Sequence, residues 1–324
     1  MTGMVMIVTG ASSGIGFEVA KYLAEGGNDV VMACRDPEKG QDAVRCIKSI
    51  LPNSLVTFMQ LDLASTTSIR EFVRDFLRKK KKLSVLVNNA AVALNFSDLT
   101  RKTTSEGFEL TMVTNYLGPF LLTNLLLDCM IQTSNVLGEG RIINVTCAAH
   151  NQEGGWGRGR VDFLHTKNFQ LQDEGTYNGL QAYKNSKVCG LLFTYYLGEL
   201  LQGTRVKINA IDPGTVPTTE LLRHAGKLQQ VYSLFCVDRV LRPCLSSSKK
   251  VHEAAMQIAE LATSDKFEGR SGKFFRDGLA ERSSIESYDS DLQKAVWRIS
   301  CQLVNYRSNL VNDTLDDISL SSLK

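Results

Sequence analysis

The sequence lacks the features that define several classes of protein. Its eight cysteines form no CxxC motif, and no cysteine or histidine cluster has the spacing of a zinc site, so no metal centre is predicted. No apolar run approaches the roughly 18 residues that a membrane-spanning helix requires. The first apolar segment begins almost at Met1, and we expect no signal peptide. These absences predict a cytoplasmic protein in a reducing compartment.

An excess of charge of one sign is also missing. The formal net charge is +3 over 324 residues, a balance that demands neither nucleic acid nor an acidic partner. The one basic run is RKKKK at 78–82, which we interpret as a solvated helix end and turn. A peripheral contact with a membrane surface is the alternative interpretation of this run. The sequence does not fix the oligomeric state.

Short apolar runs alternate along the chain with amphipathic helical patterns. The runs lie at residues 4–10, 29–34, 55–63, 83–90, 141–147 and 205–214. The helical patterns lie at 17–25, 37–50, 66–78, 106–132 and 181–202. This alternation predicts an α/β fold with a doubly wound parallel sheet, the Rossmann arrangement, whose ligand lies beyond the carboxyl ends of the strands.

The chain shows no repeat and no low-complexity linker, so we predict a single domain over residues 1–305. Two segments interrupt its alternating pattern. Residues 151–180 are glycine-rich and irregular, and residues 216–250 carry scattered apolar side chains. We expect the first segment to wall the substrate site and the second to form a lid over it. The polar residues 306–324 are predicted to be a loose tail.

A glycine-rich turn joins the first strand to the first helix. Gly10, Gly14 and Gly16 stand in VTGASSGIG at 8–16. Glycine lets the backbone turn tightly and approach a pyrophosphate, which the N–H groups at the start of the helix then bind. The hydroxyls of Ser12 and Ser13 can add donors. The position of the turn predicts a dinucleotide site.

The end of the second strand bears on the choice between NAD and NADP. NAD sites place an acid there for the ribose hydroxyls, whereas NADP sites place an arginine near the 2′-phosphate. Here Cys34 occupies the expected position of the acid, and Arg35 follows it. Asp36 competes as a ribose ligand, but with Pro37 and Glu38 it reads as a helix N-cap. We therefore favour Arg35 as a phosphate ligand and NADP(H) as the cofactor.

A tyrosine and a lysine stand four residues apart on a predicted helix. Tyr183 and Lys187, in QAYKNSKVCG at 181–190, therefore share one helix face. A free phenol has a pKa near 10 and is a poor acid or base at neutral pH. A neighbouring ammonium favours the phenolate and lowers that pKa. The pair suits proton transfer to a carbonyl while a hydride arrives from elsewhere.

Together these motifs resemble the short-chain dehydrogenase/reductase family, over about residues 3–300. The matching motifs are TGASSGIG, LDL with Asp62, NNAA at 88–91, TNYLGPF with Asn115, AYKNSK with Tyr183 and Lys187, and DPGT at 212–215. The chain is most similar to the retinol-dehydrogenase branch, through ACRDPEKG, EGFEL, FLLTNLLLD, RIIN and SGKFF. Light-dependent protochlorophyllide reductases share EGFEL and AYKNSKVC.

The resemblance implies roles for individual residues. Tyr183 would be the proton donor and acceptor, Lys187 would bind the nicotinamide ribose, and Asn115 would hold a water that links Lys187 to solvent. Asp62 would contact the adenine. The implied cofactor-binding residues are Gly10, Ser12, Ser13, Gly14, Ile15, Gly16, Arg35, Asp62, Leu63, Asn89, Ala90, Ala91, Tyr183, Lys187, Pro213, Gly214, Thr215, Val216 and Thr218. Ala91 stands where the family has a glycine.

Pro119 lies four residues after Asn115 in the same predicted helix. Proline has no N–H, so the carbonyl of Asn115 lacks its helical donor. We hypothesise that Pro119 frees this carbonyl to hold the relay water. The alternative is a simple kink in the helix.

The sequence departs from the family pattern where a serine should hold the substrate carbonyl. By register this position is Cys147 in RIINVTCAAH, and Thr146 precedes it. Neighbouring strand residues face opposite sides, so Thr146 should not simply replace the serine, unless the strand ends early and Thr146 turns inward. A thiol is a weaker donor, and loss of one good donor costs about 3–4 kcal/mol, or 10²–10³ in rate. Cys147 as an oxidation-sensitive brake is a further alternative. His150 is interpreted as a loop residue.

The leading hypothesis is an NADP(H)-dependent oxidoreductase that interconverts a lipophilic alcohol and its aldehyde or ketone, such as a retinoid, a steroid or a long-chain carbonyl compound. Two alternatives stay open. One is a protochlorophyllide-reductase-like enzyme, although Thr215 stands where those enzymes have a cysteine. The other is an NADP(H)-binding sensor or interaction protein with weakened catalysis, which the Thr146–Cys147 pair motivates.

Overall fold

The computed structural model describes residues 3–80, 82–96, 98–150, 168–173, 175, 177–214, 216 and 250–310. Its centre is one eight-stranded sheet with the order β3-β2-β1-β4-β5-β6-β7-β8. The strands are β1 (Val5–Thr9), β2 (Asp29–Cys34), β3 (Val56–Gln60), β4 (Val85–Asn88), β5 (Gly140–Val145), β6 (Val206–Asp212), β7 (Lys273–Arg276) and β8 (Leu279–Glu281). Neighbours pair in parallel up to β7, and β8 pairs antiparallel with β7. This order confirms the predicted doubly wound fold.

Helices connect the strands and cover the sheet. They are α1 (Gly14–Glu25), α2 (Pro37–Ile50), α3 (Thr66–Lys79), α4 (Leu110–Met112), α5 (Gly118–Leu137), α6 (Gly179–Leu200), α7 (Val251–Thr263) and α8 (Ser290–Leu303). Short 3₁₀ turns lie at Ala148–His150, Asp265–Phe267 and Ile285–Tyr288. A π-helical turn, Val113–Leu117, joins α4 to α5.

Both faces of the sheet are buried. On β1, Ile7 belongs to the core on the side of α3, α5 and α6, whereas Met6 and Val8 belong to the core on the side of α1, α2 and α7. Successive side chains of a strand point to opposite faces. The unbroken apolar runs of the sequence therefore follow from a sheet that is covered on both sides.

The predicted start of α2 is confirmed in detail. The Asp36 carboxylate accepts hydrogen bonds from the backbone N–H groups of Glu38, at 3.0 Å, and Lys39, at 3.2 Å. Pro37 occupies the first helical position. The helix begins here because the N-cap satisfies backbone donors and proline has the required φ without needing to donate.

The helix predicted at 106–132 is wrong in its start and its regularity. The chain becomes helical only at Leu110, with Glu109 as N-cap. At the π-helical turn, the N–H of Gly118 donates to the carbonyl of Val113, five residues earlier. A Cβ on Gly118 would lie 2.3 Å from the carbonyl oxygen of Leu63, so glycine allows the helix to approach the loop after β3 closely.

The segment Leu110–Leu137 also bears on the membrane prediction. Among the described residues it is the one helical segment long and apolar enough to cross a membrane, with a mean hydropathy of 1.3, and 78% of its most apolar window is buried inside the protein. Phe120, Leu121 and Leu122 are fully buried in the core. This burial is typical of the core helix of a folded domain.

Two surface predictions can be compared with the structure. The basic run begins at the end of α3, where Lys80 forms an ion pair with Asp29 at 2.6 Å, which agrees with a helix end. The predicted tail is packed where it starts: Tyr306 and Leu310 contact the core, and the N–H of Tyr306 donates to the carbonyl of Cys301 at 2.9 Å. Residues 311–324 of the predicted tail lie outside the described residues.

Candidate active site

The glycine turn leaves β1 in a backbone conformation that favours glycine. Gly10 has φ +65° and Gly14 has φ +57°, both in the left-handed region. A Cβ on Gly16 would lie 2.4 Å from the carbonyl oxygen of Gly10 and 2.4 Å from Asn89 Nδ2. The N-cap residue Ser13 makes no side-chain capping bond, and the first turn of α1 holds no acid. Helix donors without a side-chain cap fit the pyrophosphate of a dinucleotide.

The loop after β4 is fastened to the glycine turn. The hydroxyl of Thr9 accepts from the N–H groups of Asn89 and Ala90, each at 3.0 Å. The Asn89 side chain donates to the carbonyl of Thr9 at 2.9 Å. Asn89, Ala90 and Ala91 are only partly buried, so this segment borders the open edge of the sheet beside the turn.

The loop after β3 lies at the same edge. The Asp62 carboxylate accepts a hydrogen bond from the N–H of Ala64 at 2.9 Å. The backbone N–H of Asp62 donates to the hydroxyl of Ser68 at 3.0 Å. Leu63 is buried in the core, whereas Asp62 is partly exposed. The structure therefore brings Asp62 to the same edge of the sheet as Asn89, as a ligand beyond the strand ends would require.

Asn115 links this loop to α6. Its side-chain amide accepts from the N–H of Val92 at 2.8 Å and donates to the carbonyl of Val92 at 3.0 Å. It also donates to Ser186 at 3.1 Å, and the Ser186 hydroxyl donates to the carbonyl of Tyr183 at 2.7 Å. Asn115 thus fixes the spacing between the β4 loop and the helix that carries Tyr183.

Tyr183, Lys187 and Cys147 meet at the carboxyl edge of the sheet. The hydroxyl of Tyr183 lies 3.4 Å from Cys147 Sγ, and Lys187 Nζ lies 5.5 Å from the centre of the Tyr183 ring. Tyr183 is 3% exposed and Lys187 is 7% exposed. A phenol, an ammonium and a thiol therefore share one buried site, where each polar interaction is stronger than in water.

Three comparisons with known proteins bear on this geometry. A family model described as short chain dehydrogenase matches residues 4–157. Retinol dehydrogenase 13 of Mus musculus is 39% identical over 303 residues, 93% of this chain and 84% of that protein. Polyprenol dehydrogenase of Danio rerio is 36% identical over 307 residues, 94% and 88% of the two chains.

The chain belongs to the short-chain dehydrogenase/reductase family.

Within that oxidoreductase family it lies in the retinol-dehydrogenase-like branch. Solved structures agree on the fold. An uncharacterized protein from Mycobacterium paratuberculosis superposes with a TM-score of 0.69 at 26% identity, covering 94% of this chain and 95% of that one. A Pseudomonas aeruginosa RhlG structure, an active-site complex with NADP, has a TM-score of 0.65 at 22% identity, covering 90% and 97%.

The pKa of Tyr183 moves in the direction opposite to that expected from the neighbouring Lys187. Burial raises the pKa of Tyr183 well above its usual range, and the nearby Cys147 and Asp212 raise it further. Burial also lowers the pKa of Lys187, an effect that Cys147 and Asp212 oppose. Removing both groups from water disfavours their charged forms, and burial is the largest cause of both pKa shifts.

Thr146 and Cys147 face different surroundings in this dehydrogenase. Cys147 is partly exposed and points towards Tyr183, whereas Thr146 is 6% exposed and lines a cavity behind the strand. Burial raises the pKa of the Cys147 thiol, which the Lys187 ammonium partly opposes. A neutral thiol beside the tyrosine hydroxyl is a weak hydrogen-bond donor.

The adenosine end of the predicted cofactor site holds Cys34 and Arg35. The Cys34 thiol is buried beside Ala11 and Ser12, and burial raises its pKa to about 11. The side chain of Arg35 is exposed. Since the Asp36 carboxylate already binds two backbone donors of α2, the turn presents a cation at its surface.

His150 lies in the connection after β5, in agreement with its interpretation as a loop residue, but its ring is buried. His150 is 1% exposed, lies in the 3₁₀ turn after β5, and packs edge-on against Phe274 at 5.0 Å between ring centres. Burial lowers its pKa to about 4, and the charge of Arg276 contributes. Phe274 lies on β7, so this contact joins residues more than a hundred positions apart in the chain.

Asp212 is a charged residue at the site that sequence reasoning left without a role. Its carboxylate is 4% exposed and pairs with Arg276 at 3.1 Å, and it accepts from the N–H of Gly214 at 2.9 Å. It is close enough to raise the pKa of Tyr183 and Lys187. Its position just before Pro213 and Gly214, at the end of an apolar run, was the available signal.

Some of the remaining predicted site residues are described by the structure and others are not. Pro213 is buried, Gly214 has φ +83°, and Val216 is partly buried, so the segment after β6 follows the carboxyl edge. Thr215, Thr218, most of the predicted lid at 216–250 and most of the irregular segment at 151–180 lie outside the described residues. Ser12 and Ile15 are partly buried within the glycine turn.

Proposed function

We propose that this dehydrogenase uses NADP(H) to interconvert a lipophilic alcohol and its aldehyde or ketone. The observation that carries the proposal is the meeting of Tyr183, Lys187 and Cys147 at the carboxyl edge of the sheet. The glycine turn lies at the same edge. Groups for proton transfer and a dinucleotide site therefore stand side by side, as hydride transfer to a carbonyl requires.

The residues present fit the cofactor. When bound, NADP(H) supplies or takes up a hydride at the nicotinamide. The N–H groups of the turn from Gly10 to Gly16 would hold the pyrophosphate, because α1 carries no side-chain cap. Arg35 would bind the 2′-phosphate, since the competing carboxylate of Asp36 caps α2. Asp62, Leu63 and the segment Asn89–Ala91 would border the adenosine and ribose groups.

The chain's own residues would handle the proton. Tyr183 gives its proton to the carbonyl oxygen during reduction and takes it back during oxidation, a role worth about 10²–10⁴ in rate. Lys187 would bind the nicotinamide ribose and supply positive charge beside the phenol. Cys147 would contact the same substrate oxygen as a second, weaker donor.

Two observations support a lipophilic substrate. Ala93, Ala149 and Phe96 form an apolar cluster around Tyr183 and Cys147, and the Phe96 ring lies 5.6 Å from the Tyr183 ring. The similar proteins named above are dehydrogenases of retinol and of polyprenol. An apolar wall beside the reacting groups favours a substrate with a hydrocarbon body.

The test is turnover by the purified protein. We expect NADPH-dependent reduction of retinal, of a steroid ketone or of a long-chain aldehyde, with slower turnover when NADH replaces NADPH. A Tyr183→Phe variant that keeps full activity would refute the role of the tyrosine. Equal turnover with NADH and NADPH would refute the role of Arg35.

The thiol beside Tyr183 favours one second candidate, an NADP(H)-binding sensor or interaction protein with little catalysis. The 3.4 Å contact puts a weak donor where the family has a serine. Normal NADPH affinity without turnover of any carbonyl compound would support this candidate. Activity that rises in a Cys147→Ser variant would instead identify an enzyme with attenuated chemistry.

Cytoplasmic location and peripheral membrane contact stay predictions.

A further inference from the structure

A small, partly enclosed cavity lies behind the strand end that carries Thr146, between β4, β5, α5 and α6. Its volume is about 20 Å³. The residues with polar side chains that line it are Asn88, Asn115, Tyr116, Asn144, Thr146, Ser186 and Lys187. A buried water needs roughly 10–15 Å³ and two to four polar partners, so this cavity has room for one water molecule.

Two buried polar atoms at this cavity have no hydrogen-bond partner among the described residues: Thr146 Oγ1 and Asn88 Oδ1. The orientation of the Asn88 amide is fixed, because its nitrogen donates to Thr123 and to Asn144, both at 2.9 Å. Its oxygen is therefore the atom left for a further partner. Since buried polar atoms are nearly always paired with protein or with ordered water, both atoms point to a bound water.

The third group at the cavity is the ammonium of Lys187. It donates to the carbonyl of Val145 at 3.4 Å, a long bond for a group that carries three donors. A water in the cavity can accept from this ammonium and donate to Asn88 Oδ1 and Thr146 Oγ1. One molecule can thus give each of the three groups a hydrogen bond.

The family resemblance already implies a water that Asn115 holds near Lys187, and Asn115 also lines this cavity. We propose that Thr146 is a further positioning residue, whose hydroxyl, together with the Asn88 side chain, holds that water against the ammonium of Lys187. Thr146 then acts on the side of the strand opposite Cys147 and does not replace the substrate-binding serine. Its kinetic consequence rests on the proposed function, whereas the water itself does not. The water would solvate the buried ammonium and keep its positive charge beside Tyr183.

The direction of the effect on pH dependence follows from the groups that face Lys187. These are Tyr183 on its own helix, Cys147 after β5 and Asp212 on β6, with Arg276 paired to Asp212. Loss of the water disfavours the ammonium, which weakens the positive charge beside the phenol. The pKa of Tyr183 then rises. The part of the pH profile of kcat/KM that follows the ionisation of Tyr183 therefore moves to higher pH, for reduction and for oxidation alike.

The experiment compares wild type with Thr146→Val, which has nearly the same shape but no hydroxyl, and with Thr146→Ser, which keeps the hydroxyl. Thr133→Val is the control: Thr133 is a buried threonine whose hydroxyl accepts from the N–H of Leu83 at 3.1 Å, at the amino edge of the sheet. High-resolution crystal structures of the wild type, Thr146→Val and Thr146→Ser show whether the water is bound. The pH dependence of kcat/KM is measured for all four.

We expect a water within hydrogen-bonding distance of Thr146, Asn88 and Lys187 in the wild type and in Thr146→Ser, and its loss or displacement in Thr146→Val. An opposite charge within about 4–6 Å changes a pKa by about 1–3. Partial loss of the Lys187 charge in Thr146→Val should therefore move the Tyr183-dependent part of the pH profile upward by roughly 0.5. That part of the profile should stay in place in Thr146→Ser and Thr133→Val.

An empty cavity in the wild-type crystal would overturn the proposal without any need for turnover. So would a Thr146→Val variant that folds and has the wild-type pH profile. A protein that turns over no carbonyl compound but holds the water on Thr146 would refute the proposed function and leave the water site standing.

Discussion

The glycine turn and the edge that carries Tyr183 depend on different parts of the polypeptide: the first on backbone, the second on side chains. The glycine turn is made of backbone: its shape depends on what Gly10, Gly14 and Gly16 lack, and its donors are N–H groups that every residue but proline carries. The proposed catalytic edge, where Tyr183, Lys187 and Cys147 meet, is made of side chains, and there the sulfur of Cys147 and the hydroxyl of Tyr183 lie 3.4 Å apart. Backbone geometry therefore limits which residues can form the turn, whereas single atoms decide the chemistry at the catalytic edge.

The largest effect should come from removing the phenol at the catalytic edge. Tyr183→Phe should lower kcat/KM with NADPH and a carbonyl substrate by about 10²–10⁴, because a positioned general acid is worth that much. NADPH affinity, measured by fluorescence titration, should change little. Tyr195→Phe is the control, since Tyr195 lies on the same helix and bonds Ser283 instead. Equal losses in both variants would contradict the assignment.

A methyl group added at Gly16 should disrupt the glycine turn for a steric reason. The added methyl of Gly16→Ala meets the carbonyl of Gly10 at 2.4 Å, so the backbone must shift. We expect about 1–3 kcal/mol of lost stability in denaturant unfolding, together with weaker NADPH binding. Gly140→Ala is the control, because a Cβ there meets neighbours at 3.4 Å or more. A Gly16→Ala protein that binds NADPH normally would show that the turn is not the phosphate site.

A single-atom exchange at the catalytic edge should increase activity. Cys147→Ser should raise kcat/KM by about tenfold, part of the 10²–10³ that a full donor to the substrate oxygen supplies. Cys129→Ser, on α5 and away from the site, should leave activity unchanged. If Cys147→Ser has no effect while Tyr183→Phe is inactive, the thiol costs the enzyme nothing and the sensor interpretation loses its basis.

The smallest effect is expected at the exposed adenosine end. Arg35→Ala should weaken NADPH binding by roughly fivefold to tenfold, because an exposed charge-assisted contact is worth little more than a surface ion pair. NADH binding should not change. Arg45→Ala on α2, whose arginine pairs with Asp42, provides the comparison. A parallel loss of NADH affinity would place Arg35 elsewhere than at the 2′-phosphate.

Much of the fold could be predicted because local signals agreed. Asp36, Pro37 and an amphipathic pattern gave α2 its observed limits. The last strands and helices were missed. β7 and β8 have only four and three residues, too few for hydrophobic periodicity to distinguish a strand from a loop. The π-helical turn at Val113–Leu117 was missed too, because its irregularity depends on how closely Gly118 approaches Leu63.

The site shows the same division. Alternation predicted different surroundings for Thr146 and Cys147, which the structure shows although β5 ends at Val145, before both residues. Helix periodicity predicted a shared face for Tyr183 and Lys187. The pKa direction of Tyr183 was wrong, because it depends on burial by segments distant in sequence. The burial of His150 beneath Phe274 was missed for the same reason.

The sequence by itself determined the order of the elements up to β6, the glycine turn and the residue types available for chemistry, because these depend on local backbone preference and on periods of two and 3.6 residues. Only the tertiary structure decided how far Cys147 lies from Tyr183, that Asp212 pairs with Arg276, and that a cavity opens between Thr146 and Lys187. Distances, burial and enclosed space arise from packing between elements far apart in the chain, and no local pattern encodes them.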